Sequence, residues 1–282
     1  MNKKGLFYTA ACLLLIILLS APFWLWRMEQ SEELNVLIID KTVVDDSYRE
    51  HKGIVWLLNT MKKTQDNGKV YDAAKDYSGY LPKEKKGREI PDSLSSYQLI
   101  YLADTYGVFT GDSDQSEKGE NRLIYGGMKL EETEKLLDSV KKNSQSIVAE
   151  FNTFASPTKN EAREKLEELF HLHWTGWTGR YYLDLNSEEV PDWLKKNYET
   201  STKQDYSFSG PGLVFVHESE EVMIFTKKDF EDHPVTFSFT EKGKKLFQLN
   251  ESVRYNYWFD VIEPRNEEEV LADYNLSLNQ SA

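Results

Sequence analysis

Residues Gly5 to Trp26 carry no charged side chain, and their centre reads Cys12-Leu13-Leu14-Leu15-Ile16-Ile17-Leu18-Leu19. About 20 apolar residues at ~1.5 Å each cross a hydrocarbon layer of roughly 30 Å. Two readings compete, an uncleaved transmembrane anchor and a cleaved signal peptide. A signal peptide has an apolar region of about 7–15 residues and an A-x-A-like cleavage site. Ser20-Ala21-Pro22 is a poor site of that kind, and Phe23, Trp24 and Trp26 suit an aromatic belt at the membrane interface. The anchor is therefore the favoured reading, over 5–26. Lys3 and Lys4 precede it, while Arg27 and then Glu29, Glu32 and Glu33 follow it. The bias of positive charge leaves residues 1–4 in the cytoplasm and places everything from about residue 31 outside the cell.

The external part has the composition of a folded domain. The chain of 282 residues is 40% hydrophobic and 29% charged, which excludes a disordered tail. Its net charge of -13 comes with no concentrated run of Lys and Arg, so a nucleic-acid partner is not expected. The one cysteine is Cys12, inside the apolar span. Disulfides within the chain and cysteine-rich zinc sites are thus excluded, and an external domain without disulfides suits a bacterial cell envelope.

Over 31–264 the pattern alternates between strands and helices. Leu34 to Ile39 and Tyr97 to Ala103 are short apolar runs ending at Asp40 and Asp104, as in strands buried on both faces. Ile54, Leu57, Leu58 and Met61 recur at helical spacing, as do Leu136, Leu137 and Val140, and again Ala162, Leu166, Leu169 and Phe170. Val70 to Tyr77 reads as a weak strand, and Ser146 to Phe151 as a further one. The polar stretch 111–121 reads as a surface loop. This order predicts an α/β fold, a three-layer sandwich around a mainly parallel sheet. Antiparallel β elements are expected after it. Leu213–Val216 and Val222–Phe225 flank a polar turn and form a hairpin, Val235 to Phe239 alternates, and Tyr255 to Ile262 is an aromatic strand. The segment 265–282 reads as an acidic, polar, frayed tail.

Three motifs carry a resemblance: Asp104-Thr105-Tyr106-Gly107 after one strand, Tyr125-Gly126-Gly127 before a helix, and Ile147-Val148-Ala149-Glu150-Phe151-Asn152-Thr153-Phe154. The span from about 34 to 185 resembles the class I glutamine amidotransferase-like superfamily, whose fold is flavodoxin-like. The resemblance implies a strand ending at a sharp elbow near Glu150, Phe151 or Asn152. In hydrolytic members that elbow carries a Cys whose thiolate attacks an amide. No Cys stands there, and in Val216-His217-Glu218 the adjacent His and Glu cannot point one way along a strand. Glutaminase activity is thus not expected, and the resemblance implies a binding, oligomerising or scaffold domain.

Ligands of open parallel sheets bind outside the carboxyl ends of the strands. Those ends place Asp40, Asp104, Tyr106, Glu150, Asn152 and Thr153 on one rim. They could hold a polyhydroxylated ligand by hydrogen bonds, or they could simply cap helices and fix loops. The segment His171 to Tyr182 repeats Trp-Thr-Gly. Trp174 and Trp177 offer either a stacking wall for a sugar or plugs for the core, and Arg180 could grip a carboxylate. The expected ligand is a cell-envelope polysaccharide or a protein partner. The alternative is a glycoside hydrolase in which Glu150 works with Asp104 or Asp40. His171 and His173 would share one face of a strand, but zinc needs further ligands, and no metal or cofactor is expected. No P-loop, dinucleotide fingerprint, His-Glu-x-x-His or Gly-x-Ser-x-Gly pattern is present.

Overall fold

The computed structural model describes residues 3–111 and 122–279. The stretch expected as a surface loop lies outside them from residue 112 onward. Helix α1 (Lys3–Met28) is long and apolar enough to cross a membrane or to be a signal sequence, and none of it is buried against the rest of the chain.

The first sheet forms where the sequence is most uniformly apolar. Strand β1 (Val36–Asp40) is buried along its whole length. It lies between β2 (Ser78–Leu81) and β4 (Leu99–Asp104), with β3 (Lys86–Arg88) and β5 (Ser146–Ala149) at the edges, in the order β3-β2-β1-β4-β5. The pairings β2–β1, β1–β4 and β4–β5 are parallel, and only the edge strand β3 runs antiparallel. Alternate residues of β1 serve two cores, as strand geometry requires. Val36 and Ile38 pack with Val55 and Leu58 of α2 (Arg49–Thr60). Leu37 and Ile39 pack with Leu136 of α3 (Leu130–Asn143) and Leu166 of α4 (Asn160–Phe170). Each such side chain contributes about 1.5–3 kcal/mol when fully buried.

Tight backbone contacts close the carboxyl ends of these strands. A Cβ on Gly79, whose φ is +150°, would lie 1.6 Å from the Asp40 carbonyl oxygen. One on Gly107 would lie 2.6 Å from the Gly126 Cα. Only glycine permits such approaches.

The second sheet is antiparallel. Strand β6 (Leu172–Tyr182) pairs with β7 (Gly212–His217) on one side and β10 (Phe259–Pro264) on the other. Strand β8 (Val222–Thr226) completes the expected hairpin with β7. Between β6 and β7, α5 (Asp192–Thr202) buries Leu194 and Tyr198. The third sheet sets β9 (Val235–Phe239) between Val253–Arg254 and β11 (Ala272–Leu276). After β9 comes α6 (Glu241–Phe247).

Three expectations need correction. The fold is a mixed α/β one, but most strand pairings are antiparallel, so the parallel layer covers only β2, β1, β4 and β5. Strand β6 follows α4 but founds its own sheet, because it is long and half polar, and antiparallel sheets tolerate one wetter face. Val70 to Tyr77 forms a loop rather than a strand: the Tyr71 hydroxyl donates to the Leu34 carbonyl at 2.6 Å and accepts from the Val36 amide at 2.8 Å. Within the expected tail, Ala272 to Leu276 are not frayed but form β11, which pairs with β9. Its period-2 alternation, Ala272, Tyr274, Leu276 between polar residues, is a strand signal inside an acidic segment.

Candidate functional site at the sheet junction

The parallel strands deliver Asp40, Asp104 and Glu150 to one end of the first sheet, and the structure gives the three carboxylates different surroundings. Asp40 is fully buried. One oxygen accepts from the Thr42 amide at 2.9 Å and the other meets His51 Nδ1 at 2.6 Å. His51 Nε2 donates to the Ala73 carbonyl at 2.8 Å, so both ring nitrogens are engaged. Asp40 thus ties α2 to β1. Glu150 follows β5 directly, is exposed, and accepts a hydrogen bond from the Tyr101 hydroxyl. Thr153 is fully buried and its hydroxyl donates to the Glu150 carbonyl at 2.8 Å.

Asp104 is the centre of a network. Its Oδ1 accepts from the Thr42 hydroxyl at 2.6 Å and from the Tyr106 amide at 2.7 Å, and its Oδ2 from Asn152 Nδ2 at 3.2 Å. Tyr106 itself is part-exposed, with its ring 4.9 Å from Phe109. Asn152 adopts φ +69°, a left-handed conformation that asparagine tolerates well. Its backbone N–H meets a second carboxylate, Asp260 of β10, which also accepts from Trp174 Nε1 at 3.1 Å. Asn152 therefore joins an acid of the first sheet to an acid of the second. Burial pushes the Asp104 carboxyl up to about 6, against its hydrogen bonds and with a further push from Asp40. Burial likewise pushes Asp260 up to about 7, opposed by Trp174 and Asn152 and aided by the charge on Asp104. The two acids share one poorly solvated region, and the charge on Asp104 opposes ionisation of Asp260.

Next to this pair runs a row of aromatic rings. Phe151 stacks on Trp258 with centroids 6.5 Å apart and planes within 11°. Trp258 stacks in turn on Trp193 of α5, at 6.2 Å and 23°. Trp193 is 49% exposed. Arg180 lies alongside, its guanidinium 4.5 Å from the Tyr182 ring centroid and 6.0 Å from that of Trp258. It donates to Glu189 at 2.9 Å.

The rim expected from the sequence is thus divided. Asp104, Tyr106 and Asn152 come together, and Arg180 joins the aromatic row from β6. Asp40 and Thr153 face the interior. Glu150 turns to Tyr101. Trp174 is buried and packs with the first core, its indole N–H reaching Asp260, and Trp177 sits half-buried against His217 at 4.8 Å. His171 caps the end of α4 with φ +54° while His173 lies in β6, so the pair does not share a strand face. Among the described residues no group of three or more His, Cys, Asp and Glu side chains is placed to hold a metal.

Sequence reasoning passed over Asp260, Trp258 and Trp193. A signal for Asp260 exists: it is a lone charge inside Tyr-Trp-Phe-Asp-Val-Ile. Trp193 follows Pro191 in a segment where Val190, Leu194 and Tyr198 recur at helical spacing. Comparison with known protein families, with curated proteins and with solved structures finds no match to this chain.

Proposed function

We propose that this chain is a membrane-anchored extracytoplasmic binding protein whose junction between the two sheets holds a cell-envelope glycan. In this reading α1 is an uncleaved anchor with a cytoplasmic N-terminus, and the domain stands outside a bacterial cell. The first sheet, with α2 on one face and α3 and α4 on the other, is the three-layer sandwich of a non-hydrolytic amidotransferase relative. Asn152, left-handed just beyond a parallel strand, occupies the elbow and supplies an amide where a hydrolytic member has a thiolate.

One observation carries the reading: the ring row Phe151–Trp258–Trp193 starts at that elbow and ends on an exposed indole. Sugars present apolar C–H faces that stack on such rings, and Arg180 beside them can donate to sugar hydroxyl or carboxylate oxygens. The hydrolase alternative gains nothing from the geometry, because Glu150 is engaged by Tyr101 and Asp40 by His51.

Full-length protein in detergent micelles should co-sediment with insoluble envelope polysaccharide. Trp193→Ala should weaken retention about tenfold, the equivalent of ~1.4 kcal/mol, and leave the melting temperature within a degree or two. Absence of retention on every envelope polymer tried, with the fold intact, would overturn the proposal, and so would equal retention of the variant.

A further inference from the structure

The outward face of α2 is unlike that of the other helices flanking the first sheet. On α3 the outward positions after the first residue, Leu130, are Glu131, Glu134, Asp138, Lys141, Lys142 and Asn143. On α2 the inward face is His51, Val55 and Leu58, while the outward residues from Gly53 onward are uncharged. Trp56 is 66% exposed and Leu57 43%, and Met61, which caps the helix, is 55% exposed. A cluster of large apolar side chains at the end of one helix marks a surface that something covers.

What covers it follows from the position of the anchor. Helix α1 ends at Met28 and the first strand residue is Glu32. Such a link spans on the order of 10 Å even when fully extended. It is also fastened. Trp26 Nε1 donates to the carbonyl of Thr60, the last residue of α2, at 2.6 Å. Lys62 donates to the carbonyls of Arg27 at 3.0 Å and Glu29 at 2.6 Å, with its ammonium 4.9 Å from the Trp26 ring centroid. Glu32 and Glu33 then pair in parallel with Lys63 and Thr64. Thr60 lies four residues after Trp56 and three after Leu57, on the same side of the helix. The aromatic end of α1 and the apolar side of α2 are therefore continuous, with a lysine between them that can reach the headgroups.

We infer that the α2 face formed by Trp56, Leu57 and Met61 rests in the interfacial layer of the bilayer that α1 enters. The inference rests on α1 being an uncleaved anchor. It goes beyond that reading by fixing how the domain sits: α2 lies down on the membrane, so the domain is held close to the bilayer in one orientation instead of swinging on a tether. The occupant is lipid, because Trp and apolar side chains next to a span partition into that layer. The acidic surface gives no reason to require anionic headgroups.

The test uses full-length protein in phosphatidylcholine vesicles, with and without bromine on the upper acyl chain. The native Cys12 carries a bimane label in one sample. In others Cys12→Ser is combined with Trp56→Cys or Met61→Cys, or with Leu183→Cys, an exposed site 72% accessible and distant in sequence. Labels at 12, 56 and 61 should each lose at least half their emission in brominated vesicles, and the label at 183 should lose almost none. Quenching at 12 without quenching at 56 and 61 overturns the inference and leaves the anchor intact. No quenching at 12 overturns the anchor and the inference together. A blue shift at 56 that grows with protein concentration and ignores bromine assigns the face to a second copy of the chain, and also overturns it.

Discussion

Lys41→Met is expected to lower the unfolding free energy by about 3–5 kcal/mol, the usual loss when one partner of a buried ion pair is removed. Lys41 is 2% exposed and directly follows β1. Its ammonium donates to the Gly127 carbonyl at 2.9 Å and to Glu132 at 2.5 Å, and Glu132 is itself 5% exposed. Burial lowers the Lys41 pKa, and the charge on Glu132 works against that fall. The same Glu132 oxygen also accepts the Lys129 amide at 2.8 Å at the start of α3. Removing the ammonium leaves a carboxylate in the interior with one oxygen on that amide and the other, Oε1, without a partner among the described residues. The penalty should therefore come from the stranded charge, not from lost packing, since methionine nearly fills the lysine volume. Adding Glu132→Gln to Lys41→Met should restore most of the loss. Urea denaturation of the full chain in micelles decides this. A loss below about 1 kcal/mol for the single variant, or no recovery in the double one, would contradict the assignment.

The second large effect concerns Asp104 and Asp260, whose carboxyls stand near 6 and 7 in the folded protein. An unfolded Asp titrates near ~3.9. Below about pH 4 both states are protonated and the full stabilisation is present. Between about 4 and 7 the unfolded chain releases these protons while the folded one keeps them, so stability falls as pH rises through the folded values. For Asp104 alone the displacement corresponds to roughly 3 kcal/mol. Asp260 is half-buried and coupled to it, so its own share is discounted. Asp260→Asn mimics the protonated acid and removes the second of these titrations. Its stability should vary much less between pH 5 and 8, and at pH 8 it should exceed that of the parent by roughly 2 kcal/mol or more. An unchanged pH profile would contradict the raised Asp260 value.

How legible was this molecule in its sequence? Strands β1 and β4 stand out because strands buried on both faces need unbroken apolar runs, and Val36–Ile39 and Leu99–Ala103 supply them. The hairpin of β7 and β8 is equally plain. The position of Glu150 at a strand exit follows from Ile147-Val148-Ala149. Its role does not, because the Tyr101 hydroxyl that claims it lies on another strand. The junction was hidden for the same reason. Asp104, Asn152 and Asp260 meet only after two sheets pack, and no local pattern encodes that meeting. Trp174 and Trp177 stand out as a repeated motif, yet the ring that ends the aromatic row is Trp193, on a helix outside the expected elements. Strand β11 was obscured by acidic composition, although its side chains alternate.

Glycan binding at this junction turns on the exposed Trp193 ring and the rings behind it. The most direct measurement is tryptophan fluorescence of the full chain during titration with soluble envelope-glycan fragments, for the parent, Trp193→Phe and Trp193→Ala. A saturable change is predicted for the parent, a binding constant within about threefold for the phenylalanine variant, and one at least tenfold weaker for the alanine variant. No saturable change with any fragment, or equal affinity for the parent and the alanine variant, would contradict it.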